Sequence, residues 1–365
     1  MKSNILFLGF ICSLLMLLTA CEGDFRQPAK GDTREVWVVM DSTKWESATA
    51  EAIRNTIGGY IFTVPSLSGE ANYDLIFTDI RSQGQLERLR SYKNVIFAAP
   101  IDEESNVGRQ VRAFLDDTIE NDVRSGSSFA FPVEDQWYRD QYVLILSSTS
   151  DSALADKITN TSEAILSNML NKELKRWEYF VYEKKEQIQY SDSLWDDHGF
   201  KVRIQHDYIK TSDSTDFMAY SRILPDNERR MWVWWKDDVS DISFLDNEWI
   251  NTTRDSLLQI YLRGSRDSTY VTTEYRRPVE TTSFQKDRLL GYETLGTWRM
   301  EKAAMGGPFV NFTYYDPDSD RLFMVEYWQF APAVQKKLRF IRQFRAMGRT
   351  FESDSSWTGA RYSSL

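Results

Sequence analysis

The sequence predicts an α/β N-terminal half followed by an α+β C-terminal half with an antiparallel sheet flanked by helices. Two observations carry this. Between residues 34 and 178, short continuous apolar runs alternate with helix-period segments, as buried strands alternate with the helices that cover them. From residue 179 to 350 the period shifts towards two, with alternating strands separated by turn residues and only two clear helix-period stretches.

In chain order, Val36-Trp37-Val38-Val39 opens the first buried strand. Thr43-Lys44-Trp45-Glu46 has the form of a capping box for a helix burying Ala48, Thr49, Ala52 and Ile53, which Gly58-Gly59 stop. Ile61 to Val64, Asp74 to Thr78, Asn94 to Ala99 and Val143 to Leu146 read as strands, and Leu86 with Leu89 marks a short helix. Val107, Val111, Phe114, Leu115, Ile119 and Val123 suit one amphipathic helix. Ser150-Asp151-Ser152 offers cap oxygens to a long helix through Trp177.

Beyond Tyr179, Phe200, Val202, Ile204 and His206 alternate with polar residues, which predicts a half-buried strand whose partner is Phe217 to Ile223 across the Asp213-Ser214 turn. Met231 to Trp235 is a further strand, and Trp249 to Leu262 a helix. Strands are expected at Thr269 to Tyr275, Leu289 to Met300, Phe309 to Tyr315 and Leu322 to Phe330. Val310, Phe312 and Tyr314 would face Tyr327, Val325 and Phe323 across Asp316-Pro317-Asp318. A last helix after Pro332 turns Val334, Leu338, Ile341 and Phe344 inward, and residues 351–365 are a polar tail.

Residues 1–20 read as a secretory signal: Lys2, then an apolar run from Ile5 to Leu18 too short to span a bilayer. Leu18-Thr19-Ala20-Cys21 resembles the lipobox of bacterial lipoproteins, which implies lipid on Cys21 and residence in the cell envelope, as an outer-membrane lipoprotein facing the periplasm or cell surface. Residues 21–33 would be the lipidated tether, 34–178 the α/β domain and 179–350 the α+β domain. Beyond Cys12 and Cys21 the chain has no cysteine, so a disulfide, zinc–thiolate site or thiol nucleophile in the body is excluded. A net charge of −10 argues against nucleic acid as a partner, which would need a basic face.

The chemistry-bearing patterns are few. The sequence has no G-x-S-x-G elbow, H-E-x-x-H pair or phosphate-binding glycine loop, and no catalytic residue, cofactor or metal is expected. Asp196-Asp197-His198 suits a solvated loop better than a metal site, because adjacent side chains point apart. Asp316, Asp318 and Asp320 copy the first ligand positions of a calcium loop, but Arg321 stands where its glycine belongs, and a hairpin turn explains them better. Trp232, Trp234, Trp235 and Trp298, with Trp328, are the candidate ligand-binding residues, as a stacking platform for sugar or peptide. Trp232 and Trp234 share one strand face, so half of that set belongs in a core. Gly306-Gly307-Pro308 suits an irregular turn or a rim loop. Lys336, Lys337, Arg339, Arg342, Arg345 and Arg349 predict a solvated cationic face on the last helix, with contact to anionic head groups as the alternative.

The lipobox, the Val36-Trp37-Val38-Val39 strand, the Gly306 to Asn311 and Arg321 to Glu326 runs, Ala331-Pro332 and Arg342-Gln343-Phe344 together resemble a lipoprotein family of Bacteroidetes-type bacteria catalogued as domain of unknown function 4837. The resemblance extends over nearly the whole chain after the leader. It implies compartment and boundaries and carries no activity. The second half also looks like the sheet-and-helix sandwich of PsbP/Mog1-type proteins, an analogy of fold alone.

The functional expectation is therefore an envelope-anchored, non-catalytic protein that binds a ligand, an envelope protein or a glycan. The alternatives are a glycan or peptide hydrolase using a carboxylate pair, which needs no local motif, or a structural subunit of an envelope assembly.

Overall fold

The computed structural model describes residues 25–264 and 269–357, so the leader, Cys21 and the end of the tail lie outside it. Its main elements begin with β1 (Glu35–Val39), α1 (Ala48–Thr56), β2 (Asp74–Thr78), α2 (Gln83–Leu89), β3 (Asn94–Ala98), α3 (Asn106–Arg112) and α4 (Asp117–Ser125). Next come β4 (Ala130–Glu134), β5 (Tyr142–Leu146), α5 (Asp151–Asn160), α6 (Ser162–Tyr182) and α7 (Ile188–His198). They are followed by β6 (Ile209–Asp213), β7 (Phe217–Leu224), β8 (Asn227–Lys236) and α8 (Asn247–Tyr261). The last are β9 (Val271–Thr273), β10 (Glu280–Lys286), β11 (Leu289–Met300), β12 (Gly306–Asp316), β13 (Arg321–Phe330) and α9 (Leu338–Gly348).

The described chain divides into two units, residues 25–42 with 77–149, and residues 43–76 with 150–357. The first is the expected α/β layer. Its sheet has the order β2-β1-β3-β5-β4, with β1, β3 and β5 parallel and β4 antiparallel at the edge. Every residue of β3 and β5 is buried, which is why both read as unbroken apolar runs. Leu86 and Leu89 of α2 and Val107 and Val111 of α3 cover Val95, Phe97 and Val143. The edge strand β4 was not legible in the sequence, because Pro132 interrupts it; an edge is where a strand tolerates the missing N–H.

The second unit holds an eight-stranded antiparallel sheet in the order β9-β11-β12-β13-β8-β7-β6, with β10 also paired to β11. The expected pairing across the 316–318 turn is present: Val310 faces Tyr327, Phe312 faces Val325 and Tyr314 faces Phe323. Both faces are covered. One buries Met231, Val233, Trp235, Phe312 and Tyr314 against Phe340, Ile341 and Phe344 of α9. The other buries Trp232, Trp234, Phe309 and Met324 against Ile250, Leu257 and Leu258 of α8. Each such side chain contributes roughly 1.5–3 kcal/mol when fully buried. The α/β plus α+β class predicted from the sequence is thus the observed one.

Several local expectations fail for identifiable reasons. Helix α1 is capped by Ser47, whose hydroxyl accepts from the Ala50 N–H at 3.4 Å, rather than by Thr43, which sits in a short 3-10 turn. The helix expected from Val107 to Val123 is two, because the Asp116 carboxylate accepts from the Ile119 N–H at 2.8 Å and starts a second. The long helix after Ser150 likewise breaks at Thr161 into α5 and α6. Phe200, Val202 and Ile204 are all buried as the alternation implied, yet only Phe200–Lys201 is strand, paired to Glu352–Ser353. The partner of β7 is therefore β6. Gly306 and Gly307 are neither turn nor rim loop but the first residues of β12, opposite Arg299 and Trp298.

Candidate functional site

A cleft of about 560 Å³ opens in the second unit between the start of β7, the end of β8 and α8. Trp234, Trp235 and Trp249 supply its aromatic surface, and Asp216, Lys236 and Asp237 its charged groups. Its geometry is set by one carboxylate. Asp216 accepts from the Trp234 Nε1–H at 3.1 Å and from the Tyr261 hydroxyl at 2.9 Å. Tyr261 in turn stacks on Phe217, with ring centroids 4.2 Å apart and planes within 5°. Burial, then the hydrogen bond to Asp216 and its charge, raise the Tyr261 phenol above its usual range, so it stays a donor.

Asp237, the other carboxylate of the cleft, is held by Arg321. The Arg321 Nε donates to Asp237 at 2.5 Å and its Nη1 to the His198 carbonyl at 2.9 Å. Burial lowers this guanidinium and Asp237 opposes the shift. The His198 ring lies 4.6 Å from Trp235, and desolvation lowers its pKa against the pull of Asp197 and Asp213, which favours neutral imidazole at neutral pH. Indole rings beside fixed carboxylate acceptors can bind a ligand that has both an apolar face and hydroxyl or amide donors, which is the chemistry of sugars and peptides.

The structure separates the tryptophans that the sequence grouped. Trp232 is wholly buried, its ring stacked 5.7 Å from Phe217, and it does not line the cleft. Trp234 and Trp235, from opposite faces of β8, both line the cleft although only 8% and 5% exposed. Trp298 is fully buried and packs 4.6 Å from Trp328 at a second cleft. Asp216, Trp249 and Tyr261 were not foreseen: Asp216 meets its partners 18 and 45 residues away, a spacing with no local signal.

The remaining motifs are structural. Asp196, Asp197 and His198 form the last turn of α7, not a loop. Asp316 is buried and accepts from Arg288 Nη2 at 2.9 Å and Ser353 Oγ at 2.6 Å, so its charge is already matched. Of the six cations expected on a solvated face, Lys336 and Arg339 are exposed and the other four turn to partners within the chain. Arg342 is buried against Glu173, Arg345 and Arg349 bind Glu293, and the Lys337 amine donates to the Ala331 carbonyl. Among the described residues no group of three or more His, Cys, Asp or Glu is arranged to hold a metal ion. No helix among them is long and apolar enough to cross a membrane.

Residues 187–350 match the family model described as domain of unknown function (DUF4837), and residues 29–181 match a second, domain of unknown function (DUF8532). The expected resemblance to the first family therefore holds for the later part of the chain, and the earlier part matches a different one. No curated protein matches the sequence. Among solved structures, a mutant of the protein Mog1 is 10% identical, covering 44% of this chain and 94% of its own, with a TM-score of 0.30. The Saccharomyces cerevisiae Ran-binding protein Mog1p is 8% identical over 42% of this chain and 90% of its own, at 0.29. Human StAR-related lipid transfer protein 5 is 11% identical over 48% and 92%, at 0.17.

Proposed function

We propose that this protein is a cell-envelope lipoprotein, held by lipid on Cys21, that binds a glycan or peptide in the cleft of its second unit. The anchor rests on the Leu18-Thr19-Ala20-Cys21 pattern; acyl chains add about 0.8 kcal/mol per buried methylene, and two or more make a stable anchor. Binding rests on one observation above all: Asp216 locked between Trp234 and Tyr261 in a cleft walled by three indoles. A site whose acceptors and aromatic faces are held before the ligand arrives spends less of its binding energy on ordering.

The test has two arms. The protein is purified from its own envelope beside a Cys21→Ala control, and a glycan and peptide panel is run on wild type, Trp249→Ala and Trp235→Ala. The reading expects membrane retention lost in the Cys21 variant. It also expects a panel ligand bound about 30-fold more weakly by either tryptophan variant, the size of an aromatic hot spot, with the melting temperature unchanged in Trp249→Ala and lowered in Trp235→Ala, whose ring is part of the core. Wild-type affinity in both tryptophan variants would sink the cleft assignment. A partner recovered at fixed stoichiometry whose capture ignores the cleft would instead make the protein a subunit of an envelope assembly.

One observation favours a hydrolase as the second reading: Asp216 and Asp237 line the same cleft. Turnover of a panel glycan or peptide, abolished by Asp216→Asn or Asp237→Asn, would replace binding with catalysis.

A further inference from the structure

We propose that the amino end of the first unit's parallel sheet lies against the bilayer, with Phe25 seated among the lipid head groups. This rests on the lipid anchor at Cys21 proposed above, and it names the surface which that anchor holds to the membrane.

The link between anchor and body is short, because residues 26–30 are zipped onto the first unit. The Arg139 N–H donates to the Gln27 carbonyl at 3.0 Å, and the Ala29 N–H donates to the Arg139 carbonyl at 2.8 Å. The Lys30 N–H donates to the Ser91 carbonyl at 2.7 Å, and the Lys93 N–H to the Lys30 carbonyl at 2.8 Å. The Arg26 guanidinium adds a bond to the Asp135 carbonyl, and the Ala29 side chain is buried. Of the tether expected over residues 21–33, only the part before Arg26 is left to act as one.

Contour length then limits the distance. Gln27 lies six residues after Cys21, and six residues fully extended span at most about 22 Å. Phe25 lies four residues after it, within about 14 Å. The acyl chains place Cys21 at the edge of the hydrocarbon, under a head-group layer roughly 5–8 Å thick. On any path between them, Gln27 therefore stands no more than about 17 Å above the head groups.

The zipped segment also fixes which surface comes down. Arg139 lies in the turn that leads into β5, and Ser91 and Lys93 in the turn that leads into β3. Strands β1, β3 and β5 are parallel, so this edge gathers their amino ends. Glu104, in the loop after β3, belongs to the opposite end, and β3 alone separates the two by about 13 Å. Phe25 supplies the contact: it is 92% exposed beside the zipped segment, and its tether already reaches the interface where an aromatic ring buries its apolar area. Charge does not select this surface, since exposed Arg26, Lys30 and Arg139 share it with exposed Asp32 and Glu134. Neutral and anionic lipid should serve equally.

The test reconstitutes the full lipidated chain into phosphatidylcholine vesicles that contain a nickel-chelating lipid. A nitroxide is placed on Gln136→Cys, in the turn between β4 and β5, or on Glu104→Cys, both exposed positions. The lipid occupies the Cys21 sulfur, so the label reaches only the introduced cysteine. Relaxation by nickel should be several-fold stronger at position 136 than at 104, with or without phosphatidylglycerol. Phe25→Ala should lower the signal at 136 several-fold without releasing the protein from the vesicles. A tract of about 20 Gly and Ser residues inserted after Gly23, with an r.m.s. span of about 25 Å, should bring the two labels level. The mass of the N-terminal peptide is measured first: Cys21 without lipid overturns the anchor and this proposal together. In the lipidated chain, equal relaxation at the two labels, or the stronger at 104, overturns this proposal alone. So does a difference that survives both Phe25→Ala and the inserted tract, since neither ring nor tether would then hold the surface. A difference seen only with phosphatidylglycerol overturns it in favour of attraction by charge.

Discussion

Arg254 of α8 clasps Glu326 of β13 with two parallel hydrogen bonds, Nε to Oε2 at 2.6 Å and Nη2 to Oε1 at 2.8 Å, and both side chains are wholly buried. The guanidinium also lies 3.6 Å over the Phe309 ring, and Asn311 donates to the same carboxylate at 3.1 Å. Burial pushes the Glu326 carboxyl up, and Arg254 and Asn311 oppose it. Removing one partner strands a charge. Arg254→Met should therefore destabilise the protein by about 3–5 kcal/mol, and the double variant with Glu326→Leu should recover most of that loss. Urea unfolding of the two variants checks this; equal losses in both would show that the clasp matters through packing rather than charge.

Glu293 of β11 is another buried carboxylate, bound by Arg345 of α9 at 3.0 Å and by Arg349, just past its end, at 3.2 Å. Desolvation pushes its carboxyl up, but the two guanidinium groups outweigh this and hold it below the usual glutamate value. The folded value is thus below the unfolded one, about 4.3. Its contribution is complete above that pH and is lost as the pH falls towards the folded value. Urea midpoints followed from pH 7 to pH 3 should fall more steeply in wild type than in Glu293→Gln. Parallel slopes would remove Glu293 from the acid response.

Gly307 is required by a close approach rather than by a turn. A Cβ there would stand 1.9 Å from the backbone carbonyl oxygen of Gln329 on β13. Gly307→Ala must push two paired strands apart, and a loss of about 1–3 kcal/mol is expected by analogy with overpacked cores. Thermal melting of Gly307→Ala beside Gly84→Ala checks this, since nothing lies within 4 Å of a Cβ at Gly84. Equal melting temperatures would contradict the approach.

Tyr261 holds Asp216 in the first cleft through its hydroxyl. Tyr261→Phe keeps the stack on Phe217 and removes one hydrogen bond, so a stability loss of about 1 kcal/mol is expected. The affinity of the panel ligand should fall alongside it, because one Asp216 oxygen is no longer oriented. Calorimetric titration against wild type measures this, and unchanged affinity would show that Asp216 needs no such support.

The sequence by itself determined the fold class, the buried strands β3 and β5, the register of β12 on β13 and most helices. Those features rest on local periodicity: a strand covered on both faces must be apolar throughout, and residues two apart share a face whatever lies elsewhere. It also carried the match of residues 187–350 to a domain of unknown function.

Only the tertiary structure decided which polar residues are internal. The α9 cations read as a solvated face because their partners, Glu173 and Glu293, lie 169 and 52 residues away. The tryptophans read as one platform because the sequence shows the spacing of side chains but not the helices that cover them. Once α8 packs on the sheet, Trp232 is core, Trp234 and Trp235 edge one cleft and Trp298 another. Asp216 shows the reason most plainly. Its position is set by a tryptophan on the neighbouring strand and a tyrosine on a helix, and contacts of that kind exist only after the chain has folded.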